Sequence, residues 1–292
     1  MSNNQLTRLE LRSPFALYGN ESLIDEKSEE FGHFIELNEF QAELIKAVNV
    51  MLFATRQLLK KYLAIQGIHF SDKMLTKQLK RLSLHNYLRK KSFVSLNGRK
   101  SGFMTYMLDR KGKGFLRHMG IRIKLEGYIN EKTPGEVKKI LAANQAAIEI
   151  IIAGGDKKMY FETARIFLVN EKRLKANGHL FRALGFINNE DGGKSYFIQP
   201  VRNGQDDIVE LLDKLNRMEQ VIQIAGFSEL SIQEDITVIV VAESKIEMEH
   251  IKTLLENKQK LYGHLQLATT YDRLIISEDL PLEKRIYLLP GK

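Results

Sequence analysis

The run KKSFVSLNGRKSGFMTYML, residues 90–108, constrains the fold of this chain more than any other. Two β-prone segments, KKSFVSL and GFMTYML, flank Asn97-Gly98. Both central positions of a type I′ turn need a positive φ that Asn and Gly tolerate, so the run predicts a tight β-hairpin. Arg99 and Lys100 follow the turn at once, which places two adjacent cations at the hairpin tip.

Three helices are predicted before the hairpin. In LNEFQAELIKAVNVML, Asn38 stands as an N-cap and Phe40, Leu44, Val48 and Met51 recur at helical spacing. Thr55 caps a second helix, RQLLKKYLAIQG, with Leu58, Leu59, Tyr62 and Leu63 as its apolar stripe and Gly67 as its terminator. Ser71 caps a third, DKMLTKQLKRLSLHNYL, in which Leu75, Leu79 and Leu82 face one way. After the hairpin, Asp109 opens a short helix, RKGKGFLRHM. Three helices, a two-stranded ribbon and a closing helix, in that order, make a winged helix-turn-helix over residues 36–120, whose third helix enters the major groove of DNA.

Charge supports that partner. The chain carries +8 overall, but residues 71–119 hold thirteen Lys or Arg against Asp72 and Asp109, so this stretch is +11 and the remainder is −3. A local basic patch calls for a polyanion, nucleic acid first and an acidic membrane surface second. On the third helix Lys73, Lys77 and Lys80 share the face opposite the leucines, with Thr76 and Arg81 at its margins. Like charges at this spacing repel by a few tenths of a kcal/mol per pair, so the counter-charge must come from outside. The expected duplex contacts are therefore Lys73, Thr76, Lys77, Lys80 and Arg81 in the major groove. Arg89, Lys90 and Lys91 are assigned to the backbone, and Arg99 and Lys100 to the wing, against phosphate or in the minor groove.

Absence of cysteine excludes disulfides and thiolate metal sites. With no secretory layout at the start and no apolar run of membrane-spanning length, the expectation is a soluble cytoplasmic protein without a membrane partner. Residues 1–35 read as an arm and 121–132 as a linker. Residues 133–292 read as an α/β domain. There Thr133-Pro134 starts a helix with Val137, Leu141, Asn144, Ile148 and Ile151 on one face, and Gly154-Gly155 ends it; Asn144 reads as a satisfied core amide or one that sets the register of a helix pair, ahead of a functional polar group. The runs KMYFET, KSYFIQPV and ITVIVVAES read as strands, the last as a central strand covered on both faces. Ile208, Leu211, Leu215, Met218 and Ile222 suit either a helix dimer or packing on the domain's own sheet.

The runs FATRQLLKKYL, LTKQLKRLSLHNYLRKKSF and TYMLDRKGKGFLRHMG together resemble the N-terminal winged helix of the replication-relaxation family of Gram-positive plasmids, conjugative elements and phages. The resemblance covers residues 38–119 and implies a DNA-binding protein of a mobile element, a transcriptional regulator or a replication or conjugation accessory factor. It also implies that the second half resembles a restriction-endonuclease-like fold. Active members carry an acidic-x-basic pair on one strand, whereas SYFIQPV has Gln199 there and LFRALGFI has no acidic residue. Amide oxygens alone hold a hard divalent cation weakly, so the expected fold is degenerate, with no catalytic residues, metal or cofactor. Glu162 and Asp206-Asp207 are the leftover candidates for the alternative, a metal-dependent nuclease. A second alternative is a winged-helix protein-interaction module. A homodimer on a two-fold site is expected, with residues 133–292 open to a protein partner. Neither a P-loop nor a zinc site is indicated: Gly192-Gly193-Lys194-Ser195 has Asn188 where the first glycine is needed, and the seven histidines are scattered.

Overall fold

A computed structural model of the chain describes residues 22–25, 35–94, 100–124, 132–155, 159–168, 180–189, 193–202 and 204–290. The architecture is mixed α+β, with nine α-helices and two sheets among the described residues. Two compact units emerge, Leu17–Asn144 and Gln145–Lys292. No described helix is long and apolar enough to cross a membrane.

In the first unit each helix starts where its cap residue dictates. Helix α1 (Glu39–Met51) opens on a reciprocal box: Gln41 N donates to Asn38 Oδ1 at 2.9 Å and Asn38 N donates to Gln41 Oε1 at 3.1 Å. Thr55 Oγ1 accepts from Leu58 N to begin α2 (Arg56–Ile65), and Ser71 Oγ accepts from Met74 N to begin α3 (Asp72–Leu84). Gly67, at φ +77°, stops α2. Leu44, Ile45, Val48 and Met51 of α1, Leu58, Leu59 and Leu63 of α2, and Leu75, Leu79 and Leu82 of α3 are all buried. Each such side chain contributes about 1.5–3 kcal/mol of burial.

A four-stranded sheet completes this unit, in the order β1 (Ser22–Asp25), β3 (Leu88–Val94), β4 (Lys100–Leu108), β2 (Ala54–Thr55). β3 and β4 pair antiparallel, from Leu88 opposite Leu108 to Val94 opposite Lys100, with a register irregularity between Ser92 and Val94. The predicted turn itself, Asn97-Gly98, lies outside the described residues. β1 comes from the arm to which no element was assigned. It pairs with β3, Ser22 opposite Val94 and Asp25 opposite Lys91, and turns β3 from an edge strand into an interior one. Helix α4 (Arg110–His118) follows, with Asp109 as its N-cap.

Helix α5 (Pro134–Gly154) begins on a second reciprocal box between Thr133 and Glu136. The division between the two units falls within it, after Asn144. Asn144 is fully buried, and its Nδ2 donates to the carbonyls of Met51, at 2.9 Å, and Phe53, at 2.8 Å. These carbonyls flank Leu52, whose φ of 61° takes the chain out of α1. The amide therefore adds a second donor to the Met51 carbonyl, which also accepts from Phe53 N at 2.6 Å, and supplies a donor to the Phe53 carbonyl where α1 ends.

The second unit is built on a six-stranded mixed sheet in the order β10 (Tyr287–Leu288), β9 (Leu265–Tyr271), β8 (Asp235–Ala242), β7 (Lys194–Pro200), β6 (Leu180–Asn189), β5 (Met159–Leu168). β7, β8 and β9 run parallel; β5, β6 and β10 join antiparallel. Parallel neighbours need crossovers. Helix α6 (Gly204–Leu230), interrupted at Gly226, makes the first and α7 (Lys245–Glu256) the second. The short helices α8 (Asp272–Ile275) and α9 (Leu282–Arg285) follow β9. β8 lies between two parallel partners and is buried from Ile236 to Ala242, as its continuous apolar run requires. Ile208, Leu211, Leu215, Met218 and Ile222 of α6 join the same core as Val238, Val240, Leu265 and Leu267, so this stripe packs on its own sheet.

Candidate nucleic-acid interface

Helix α3 separates its two faces cleanly. With Leu75, Leu79 and Leu82 buried, Lys73, Thr76, Lys77, Lys80 and Arg81 are all exposed. The five residues expected in the major groove thus share one solvent-facing surface.

That surface is braced by α2. Arg56 Nη1 donates to Thr76 Oγ1 at 3.0 Å, while the Thr76 hydroxyl donates to the Asp72 carbonyl at 2.8 Å. Lys60 Nζ donates to Asp72 Oδ1 at 3.0 Å, and both side chains are open to solvent. This hydrogen bond, with the charges of Lys60 and then Arg56, holds the Asp72 carboxyl below its ordinary range. An exposed pair of this kind is worth little in stability. Its effect is geometric: the first residue of α2 and the second turn of α3 are held side by side. Arg56, which the sequence reading passed over, is exposed and adds a guanidinium to the surface. Its local signal was only its place after the cap Thr55; the neighbour twenty residues on is a tertiary relation.

On the ribbon the three cations expected at the DNA backbone are placed differently from one another. Arg89, Lys90 and Lys91 cannot act as one backbone-facing trio, because side chains alternate along a strand. Lys91 is only 5% exposed, and Arg89 Nη2 lies 3.1 Å from Asp109 Oδ1. Lys90 is half-buried. β1 pairs along β3 from Val94 to Lys91 and makes it an interior strand there, and Asp25 stands opposite Lys91. Of the two wing cations, Arg99 lies outside the described residues. The backbone of Lys100 opens β4, and its side chain also lies outside the described residues.

Of the leftover acidic candidates, Asp206 is exposed, and Glu162 and Asp207 are engaged locally. Glu162 Oε2 lies 3.5 Å from Arg165 Nη1, and Asp207 Oδ2 accepts from Arg202 N at 2.8 Å. Gln199 is buried, with Nε2 donating to the Arg182 carbonyl at 3.4 Å. Among the described residues no three His, Asp or Glu side chains converge as metal ligands would. At the C-terminal ends of β7, β8 and β9 stand Arg202, Glu247 and Asp272. Arg202 Nη2 donates to Asp272 Oδ1 at 2.6 Å, and Arg202 Nη1 donates to the carbonyls of Val201 and Val241, all out of water. Glu247 Oε2 accepts from Glu243 N at 2.7 Å.

Compared with known proteins, the chain matches no family model and no curated protein.

Proposed function

We propose that this chain is a sequence-specific double-stranded DNA-binding protein in which residues 36–120 act as a winged helix-turn-helix. The observation that carries the reading is α3: five polar or cationic side chains on one exposed face, its leucines buried, and Arg56 locked onto Thr76 beside them. Lys73, Thr76, Lys77, Lys80 and Arg81 enter the major groove, and Arg56, at the first position of α2, meets phosphate where a helix N-terminus already favours an anion. Arg99 and Lys100 extend the contact along the wing. The resemblance to the replication-relaxation family supports a role on a mobile element, as a regulator or an accessory of replication or conjugation. A homodimer reading a two-fold site is the corresponding assembly.

The nuclease alternative is the weaker reading: Glu162 and Asp207 are engaged by neighbouring groups, Gln199 is turned to a backbone carbonyl, and of its candidates Asp206 alone is exposed. The test is selection of bound fragments from a random duplex pool by the full chain. Enrichment of one inverted repeat, lost on Lys77→Glu, is the expected result; recovery of unrelated sequences with equal affinity would defeat the reading.

A further inference from the structure

A cleft of about 840 Å³ opens on the first unit between the end of α3 and helix α4. Its lining includes Tyr87, Arg89, Arg110, Lys111, Phe115 and Arg117. Four of these are cations, and Asp109, the acidic residue in the lining, is tied to Arg89 and to the N-terminus of α4. Phe115 is half-buried, so the basic wall also carries an aromatic surface. The volume lies within the range of small-molecule sites, well beyond what a bare oxyanion fills.

The walls are held by backbone. Asp109 N donates to the Tyr87 carbonyl at 3.0 Å and Lys111 N donates to the Asn86 carbonyl at 3.1 Å. Gly112 lets α4 approach this closely, because a Cβ there would stand 2.2 Å from the Tyr87 oxygen. Gly114, also in the lining, opens onto free space. The cleft is therefore preformed.

Its position separates it from the tip of the ribbon. Leu88 and Arg89 pair with Leu108 and Met107 at the open end of the ribbon, while Val94 and Lys100 pair next to the turn. Five residues of strand separate Arg89 from Val94, roughly 17 Å. A cationic cleft at the far end of the ribbon from the turn has no part in a wing contact.

We infer that this cleft binds a nucleoside phosphate, its phosphates held by Arg110, Lys111 and Arg117 and its base against Phe115. Guanidinium groups suit phosphate by their fork of donors, and an aromatic face accepts any base by stacking. The site does not depend on the DNA-binding reading, although its wall includes the turn that ends α3.

Calorimetric titration of the full chain with ATP, ADP, GTP and inorganic phosphate tests this. At least one nucleotide is expected to bind saturably at one site, with inorganic phosphate weaker by about tenfold or more. Arg117→Glu and Arg110→Glu, both at exposed positions, should each weaken that nucleotide by about tenfold or more, while Lys77→Glu leaves it unchanged. No saturable binding, nucleotide affinity unaltered in both cleft variants, or inorganic phosphate binding as tightly as nucleotide would each overturn the inference. So would Arg117→Glu lowering duplex affinity as much as Lys77→Glu without any nucleotide binding, since the phosphate would then be that of DNA.

Discussion

Arg56 Nη1 donates to Thr76 Oγ1 at 3.0 Å, and this bond ties the start of α2 to the exposed face of α3. Because Thr76 spends its own proton on the Asp72 carbonyl, its hydroxyl has little left to offer a base edge. In the proposed complex Arg56 adds its guanidinium to the cations of α3 that face the duplex. Arg56→Ala is expected to weaken binding to all duplexes and to make the log–log salt dependence shallower by about 0.9, the value of one phosphate. Stability should stay within about 0.5 kcal/mol, as for other exposed positions. Filter binding across a salt series, with thermal melts alongside, measures both.

Two glycines of α4 should respond oppositely to alanine. A Cβ at Gly112 would lie 2.2 Å from the Tyr87 oxygen, a backbone atom that cannot step aside, whereas Gly114 has nothing within 4 Å. Gly112→Ala is expected to cost about 1–3 kcal/mol through overpacking. Gly114→Ala should gain roughly 0.5–1 kcal/mol from the lower chain entropy of the unfolded state. Urea denaturation curves of the two variants decide it.

In the second unit, Asp272 balances a guanidinium that is out of water. Removing one partner of a buried pair leaves the other charge uncompensated, so Asp272→Ala should destabilise by about 3–5 kcal/mol. Arg202 keeps its bonds to the Val201 and Val241 carbonyls, so the loss reports the missing carboxylate: its charge and the one hydrogen bond it accepts from Nη2. A loss below about 1 kcal/mol in chemical denaturation would mean that water reaches Arg202.

Glu247 titrates above its ordinary value of 4.5, chiefly through burial; the Glu243 amide and Arg202 oppose this, and the Asp272 and Asp207 carboxylates add to it. The folded state then holds this proton more tightly than the unfolded state, so stability falls as pH rises from 4.5 through the raised value. Glu247→Gln keeps an acceptor for the Glu243 amide but has no charge to desolvate. It should be the more stable form at pH 7 and equal to the parent well below pH 4.5; the pH profile of Tm for both proteins checks this.

Much of the fold could be read from local chemistry. Asn38, Thr55, Ser71, Asp109 and Thr133 all act as caps because a short polar side chain can reach an orphan amide whatever the rest of the chain does. Period and burial agree on α3 for the same reason: its leucines recur every three or four residues. Asn144 also behaved as a core amide, though its partners, Met51 and Phe53, are more than ninety residues away and no pattern names them. What stayed hidden is tertiary. β1 carries no strand signature beyond four residues, SLID, yet it changes β3 from edge to interior and takes Lys91 with it. Arg56 was invisible as a site residue for the same reason, its meaning resting on which turn of α3 lies opposite.

The most direct test of the account is the salt dependence of affinity for the selected duplex, compared between the parent chain and Lys77→Ala/Lys80→Ala. The account predicts a large drop in affinity at low salt, a slope shallower by about 1.8, and poorer discrimination against unrelated duplexes. Unchanged affinity and slope in the double variant would contradict it, because the exposed face of α3 would then not be where the duplex lies.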